Sequence, residues 1–206
     1  LCHTDPYFTL VWAGSLMKID KSNAADIPEI LSILNASKGD NLTAQQREQE
    51  GFTQGTMDAA MLTKFQTGSG VFVSREQRAA QDVICGVAMT APGSLAKHGT
   101  AQAAYQTVLE SGVAKAEQIF LYGPVSVRKE FRGKGILTQL LLHICRTLQK
   151  DFTLGVAFVD KENHKSLLIH RHYPMDEAGE FELNGRGYVI FMFEPLRVQA
   201  FYQHPE

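Results

Sequence analysis

Cysteine is scarce in this chain: Cys2, Cys85 and Cys145 are the three among 206 residues. So few, so far apart, they provide neither a disulfide framework nor a zinc ligand set. Thiols buried in a reducing cytoplasm are the expected case. No apolar run approaches the ~20 residues that a membrane span needs. Nor does one sign of charge dominate, with 20 lysines and arginines against 22 aspartates and glutamates. That balance argues against nucleic acid or an anionic membrane as the main partner. No basic stretch precedes the mildly apolar residues 8–14, so a secretory signal is not expected. Met17 reads as a natural start. Residues 1–16 are therefore taken as a leader, an expression remnant or translated upstream sequence with no assigned function, and residues 17–206 as one domain. Internal repeats and low-complexity tracts are missing too. What remains is 44% hydrophobic, enough over this length to bury one substantial α/β core.

The most informative stretch is residues 121–148, L-Y-G-P-V-S-V-R-K-E-F-R-G-K-G-I-L-T-Q-L-L-L-H-I-C-R-T-L. An apolar strand enters a glycine-bearing turn, which opens directly into a helix. Ile136, Leu137, Leu140, Leu141, Ile144, Cys145 and Leu148 recur at helical spacing. A helix start offers unpaired backbone N–H groups and the positive end of its dipole. Glycines there let the main chain approach a phosphate. Neither G-x-x-x-x-G-K-[ST] nor G-x-G-x-x-G is present, and Gly133 and Gly135 also read as plain turn residues. Pro124 interrupts the strand. It cannot donate to a ladder, so the strand either bulges there or carries an ordinary edge proline.

This segment resembles the acyl-CoA pyrophosphate loop of the GNAT superfamily of N-acyltransferases, [QR]-x-x-G-x-[GA]. Arg132 and Gly135 match, whereas Leu137 departs from the usual small residue. The preceding residues 125–131 are similar to the family's V-x-V-x-x-x-[YF]-R-G-x-G block. Residues 154–159 read as a buried strand. After them, residues 163–174 resemble N-x-x-S-x-x-[LI]-[YH]-x-x-x-G-F through Asn163, Ser166 and His170, with Pro174-Met175 in place of Gly-Phe. The resemblance implies an α/β fold, a mixed and mostly antiparallel twisted sheet of about six to seven strands flanked by helices. Its fourth and fifth strands are splayed to admit CoA. It covers residues 17–193, with the diagnostic positions between 121 and 173.

Elsewhere the patterns agree. Residues 17–20 read as a first strand, and Asn23 as a polar cap ahead of a helix through Ile27, Ile30, Leu31, Ile33 and Leu34. Residues 43–51 are polar and helix-prone. Residues 71–73 and 83–89 read as antiparallel strands around a polar turn at 77–81. Residues 180–193 read as a hairpin about Asn184-Gly185. The long stretch 91–118 holds a helical run at 101–111 and either shapes the acceptor side or makes a solvated excursion.

The resemblance further implies acetyl-CoA as cofactor and an amine as acceptor. A homodimer is left open, and the setting is cytoplasmic. The amides and side chains of Arg132, Gly133, Lys134, Gly135, Ile136, Leu137 and Thr138 would hold the pyrophosphate. Val125 and Val127 would flank the pantetheine arm, and Tyr122 and Ser126 the acceptor. Asn163, Ser166 and His170 fall at i, i+3 and i+7, one stripe of a helix. Asn163 and Ser166 would reach pantetheine, and His170 the sulfur as catalytic acid or base. Plainer roles remain open for each: a solvated surface for Arg132, Lys134 and Glu130, an N-cap for Asn163, a local carbonyl bond for Ser166, a structural ring for His170. A metal shared by His164, His170 and His172 does not fit, because the three do not share a face. Two other functions stay in view: a non-catalytic acyl-CoA-binding or sensing module, and a nucleotide-binding regulatory domain using the same anion loop.

Overall fold

The computed structural model describes residues 11–12, 15–77 and 81–203. Seven strands run in chain order: β1 (Ser15–Lys21), β2 (Gly70–Glu76), β3 (Val83–Pro92), β4 (Ile119–Val127), β5 (Leu154–Asp160), β6 (Asp176–Leu183) and β7 (Arg186–Phe193). They form one sheet in the order β1-β2-β3-β4-β5-β7-β6. A two-residue strand, Val11–Trp12, pairs with the start of β1, so the sheet reaches ahead of Met17. Residues 1–10 of the presumed leader, Cys2 among them, its residues 13–14 and the middle of the turn at 77–81 lie outside the described residues. Every neighbouring pair is antiparallel except β4 and β5.

Seven helices flank the sheet: α1 (Ile27–Ala36), α2 (Ala44–Glu50), α3 (Ala59–Thr67), α4 (Gly99–Glu110), α5 (Ile136–Leu148), α6 (His164–His172) and α7 (Pro195–Gln203). The central strands are apolar at consecutive positions because helices cover both faces. In β2, Val71 and Val73 pack with Ile30, Ile33 and Leu62 of α1 and α3. Phe72 points the other way, into the cluster of Leu140, Leu141 and Ile144 on α5. β4 alternates likewise: Ile119 and Leu121 join Ala104, Tyr105 and Val108 of α4, while Phe120 and Tyr122 face α5. The stretch expected at 101–111 is thus the docked helix α4. Among the described residues no helix is long and apolar enough to cross a membrane.

Two glycines set the geometry that matters below. A Cβ on Gly86 of β3 would lie 2.9 Å from Ile136 Cγ2 and 3.1 Å from Val127 Cγ2. Its absence lets the first turn of α5 settle close to the sheet. A Cβ on Gly155 would sit 2.3 Å from the Phe193 ring, inside the short stretch where β4 and β5 still pair.

Candidate active site

The β4–β5 pair holds for three residues only, Ile119 with Leu154, Phe120 with Gly155 and Leu121 with Val156. Beyond Leu121 the strands part. On its other edge β4 carries an extra residue, since Ala88 faces Val125 while Thr90 faces Tyr122. The bulge falls on Gly123 and Pro124, the position where proline leaves a ladder donor missing. The β5-facing edge of residues 122–127 thus has no strand partner, and of its main-chain groups the Val127 carbonyl is taken by Arg132. Two cavities of about 720 and about 630 Å³ open at this wedge. Tyr122, Val125, Asn163, Ser166 and His170 line both, together with Phe52 and Thr53. They make a shared waist.

The larger cavity contains the glycine turn and the start of α5. Gly133 and Gly135 have φ of 75° and 72°, values that cost other L residues ~1–2 kcal/mol. No side chain caps α5, whereas Thr43, Asp58 and Asn163 cap α2, α3 and α6. Its first N–H groups and dipole therefore face an open, exposed turn, the arrangement an anion satisfies. Leu137 lines the cavity but also packs against the α5 core cluster. The side chain that departs from the motif is thereby partly turned inward. Ile136 is buried, and Thr138 Oγ1 lies 3.5 Å from the Tyr173 hydroxyl. Val127 and Ser126 are buried in the cavity wall.

The cations of the turn are engaged. Arg132 donates through Nε to the Val127 carbonyl at 3.1 Å and through its guanidinium to Glu50 at 2.7 Å. Lys129 reaches the other Glu50 oxygen at 2.9 Å. These two hydrogen bonds hold the Glu50 carboxyl below its ordinary pKa, so it is an anion beside an anion site. Lys134 places its ammonium 4.8 Å from the Phe131 ring centroid. Glu130 lies on the exposed surface, lining neither cavity.

On α6 the stripe divides by role. Asn163 is buried and spent on structure: its Oδ1 accepts from Ser166 N–H at 3.2 Å and its Nδ2 donates to the Phe52 carbonyl at 2.7 Å. It caps the helix and ties down the segment following α2. His170 Nδ1 sits 2.8 Å from the Ser166 carbonyl oxygen and must donate to it, which fixes the proton on Nδ1. Nε2 is then the unprotonated nitrogen left to the waist. Burial lowers the pKa of His170 below its ordinary 6.5, against the smaller raising effect of that carbonyl bond. The ring lies 5.1 Å from Phe191, tilted by 37°. At neutral pH this ring is therefore uncharged. His164 turns away to Glu48 of α2, 3.1 Å distant.

The smaller cavity is mostly apolar, with Thr90, Lys64, Asp160 and Ser166 among its polar lining residues. Burial also raises the Tyr122 phenol well above its ordinary pKa, so it stays protonated at the waist. Asp160 lines this cavity, but its Oδ2 accepts from Arg186 at 3.0 Å and from Gln54, and its Oδ1 accepts from Glu162 N–H at 2.8 Å. The Tyr188 hydroxyl completes the network on Gln54 at 3.2 Å.

Solved structures share this architecture. An N-acetyltransferase from Staphylococcus aureus Mu50 superposes with a TM-score of 0.57 at 20% identity, over 87% of this chain and 98% of its own. A GNAT superfamily phosphinothricin acetyltransferase from Sinorhizobium meliloti, in complex with AcCoA, gives 0.58 at 18% identity, over 86% and 88%. A ribosomal-protein-alanine N-acetyltransferase from Brucella melitensis gives 0.56 at 16%, over 86% and 99%. The chain has the GNAT fold. No protein-family model matches the sequence, and no curated protein does.

Within this GNAT fold, sequence reasoning missed Glu50, Phe52, Gln54 and Asp160. Glu50 meets Arg132 across 82 positions, and Gln54 meets Asp160 across 106. Asp160 ends a strand just ahead of the Asn163 motif without being part of it, and no local signal announces either pairing.

Proposed function

We propose that the protein is an acyl-CoA-dependent N-acyltransferase, moving an acetyl group from acetyl-CoA to a primary amine. One observation carries the reading: two cavities share Tyr122, Val125, Asn163, Ser166 and His170, and the larger also takes in the start of α5, which no side chain caps. The fit to the donor rests on three features of the chain. The α5 amides and the Gly133–Gly135 turn suit a pyrophosphate, with Arg132 and Lys134 adding charge. The partnerless edge of β4 at Val125 and Val127 suits a pantetheine amide, with Ser166 beside it. The larger cavity has the volume for an extended arm.

Acetyl-CoA supplies a thioester, whose carbonyl carbon accepts the amine and whose thiolate departs. The chain's residues handle the remainder. Tyr122, Ser126 and the waist hold the amine against the carbonyl. As the N–C bond forms and the C–S bond breaks, one proton must leave nitrogen and one must reach sulfur. His170 Nε2 takes the first and returns it as the second, so no net charge accumulates. The Ser166 carbonyl keeps the ring in the right tautomer throughout. A reducing cytoplasm suits the buried thiols Cys85 and Cys145, the latter pushed up to about 12 by burial.

The test is pure protein with acetyl-CoA and an amine panel, read by thiol release, alongside CoA binding by calorimetry. Thiol release that depends on amine supports the reading, and no CoA binding ends it. A second reading, a CoA-binding module without turnover, draws on the commitment of Asp160 to Arg186 and Gln54. Tight binding with no thiol release from any amine would select it.

A further inference from the structure

Resting on the transferase reading, we infer that the acceptor is a small primary amine with an apolar, aromatic body. The cavity of about 630 Å³ on the far side of the waist is the entry for whatever meets the thioester. Its walls come from the segment after α2, from α3, from the end of β3 through the start of α4, from the parted edges of β4 and β5, and from α6. Half-buried rings at Phe52, Phe65 and Phe158 line it, Phe65 packing against the α1–α3 core cluster and Phe158 against Phe181 and Tyr188. At its mouth Met61 and Leu95 are 42% and 61% exposed, large apolar side chains that a ligand would cover.

The charges decide between acceptor classes. Lys64 and Asp160 are the only charged side chains among its lining residues. Asp160 is 5% exposed and has both oxygens engaged by Arg186, Gln54 and the Glu162 amide. No carboxylate is left to receive a second ammonium. A polyamine, an aminoglycoside or a lysine-rich peptide would therefore bury cations without partners, an expensive outcome. An apolar amine carries one ammonium, which the same low-polarity surroundings push to its neutral, nucleophilic form. His170 Nε2 then receives the last proton at the waist. Flat rings on the walls favour an aromatic body over a branched aliphatic one.

The experiment compares kcat/KM at saturating acetyl-CoA for phenethylamine and tryptamine, for spermidine and kanamycin, and for a lysine-containing peptide. The expectation is at least about a tenfold preference for the two aromatic amines, the scale on which apolar pockets discriminate. A second variant sharpens it. Leu95→Glu places a carboxylate on the exposed rim, where folding is undisturbed; it should raise KM for tryptamine several-fold and narrow the gap to spermidine. Equal or better turnover of the polycations or the peptide, with CoA bound and thiol released, overturns the acceptor assignment and leaves the transferase standing. No CoA binding, or binding without thiol release from any amine, overturns both.

Discussion

Replacing His170 by phenylalanine isolates the proton-handling step from the packing around it. Phenylalanine retains a ring over Phe191, 5.1 Å away in the native protein, and deletes both nitrogens. The Ser166 carbonyl loses one donor but keeps the helix bond to the residue four positions on. A near-volume-conserving swap of this kind should change stability by under about 1.5 kcal/mol. Loss of a positioned base should lower kcat by about 10²–10⁴-fold. CoA affinity should stay within about twofold, because His170 does not touch the α5 turn. The pH profile is the decisive readout. Burial holds the native pKa below 6.5, so activity should fall tenfold per pH unit below that depressed value, where Nε2 is already protonated. In the variant this acid limb disappears. Stability gives an independent check. The folded ring resists protonation that the unfolded chain accepts from pH 6.5 downward, so native stability declines as pH drops below 6.5. The decline is at most about 1.4 kcal/mol per pH unit until the folded pKa is reached. The phenylalanine variant lacks that component. Unchanged kcat with an intact acid limb would refute His170 as the proton acceptor, whatever the stability data show.

Glu50→Gln removes the anion that engages Arg132 at 2.7 Å and Lys129 at 2.9 Å. Calorimetry at low salt should find CoA bound about threefold to tenfold tighter, the gain shrinking as salt screens the released cations. Weaker binding would instead mean that Glu50 orders Arg132 for the phosphate. Gly155→Ala drives a methyl into the Phe193 ring, 2.3 Å from the ideal Cβ, and should cost about 1–3 kcal/mol by chemical denaturation. An unchanged denaturation midpoint would show that the origin of the wedge is less tightly packed than the distances imply.

Much of this fold was legible because its signals are local. The central strands follow apolar runs bounded by polar turns, the polar β6 is marked instead by the Asn184-Gly185 turn that ends it, and α5 has an unbroken apolar stripe from Ile136 to Leu148. Pro124 announced the bulge for a covalent reason, its missing N–H. Two helices escaped. In α3 the apolar positions are sparse, and its clearest local mark is Asp58, whose side chain accepts from Met61 N–H at 2.7 Å. The helix α7 follows β7 with little periodicity, and Val198 is its one large side chain buried in the core cluster. At the site, the turn and the α6 stripe were picked out by their resemblance to the GNAT motifs, whereas the state of each side chain could not be read. Whether Asn163 caps or binds depends on the Phe52 carbonyl, 111 positions away. Whether Arg132 is free depends on Glu50. Such contacts belong to the tertiary fold and leave no periodicity behind.

The chemistry also explains why the two ends of the channel differ. A pyrophosphate keeps its charge throughout, so the main-chain dipoles of α5, fixed and already oriented, suit it at little cost in reorganisation. An amine must shed its charge before it can attack, so its end of the channel favours neutrality: apolar rings, a mouth of Met61 and Leu95, and an Asp160 kept occupied by Arg186. A free carboxylate there would hold the ammonium and oppose the reaction. In the proposed reaction the waist would join the two regimes, with Nε2 of His170 uncharged at rest, taking a proton as the amine attacks and losing it again as the thiol departs. Separating β4 from β5 beyond Leu121 costs the sheet its ladder at that point, and in the proposed reaction the gap is where a charged carrier and a neutral nucleophile would meet.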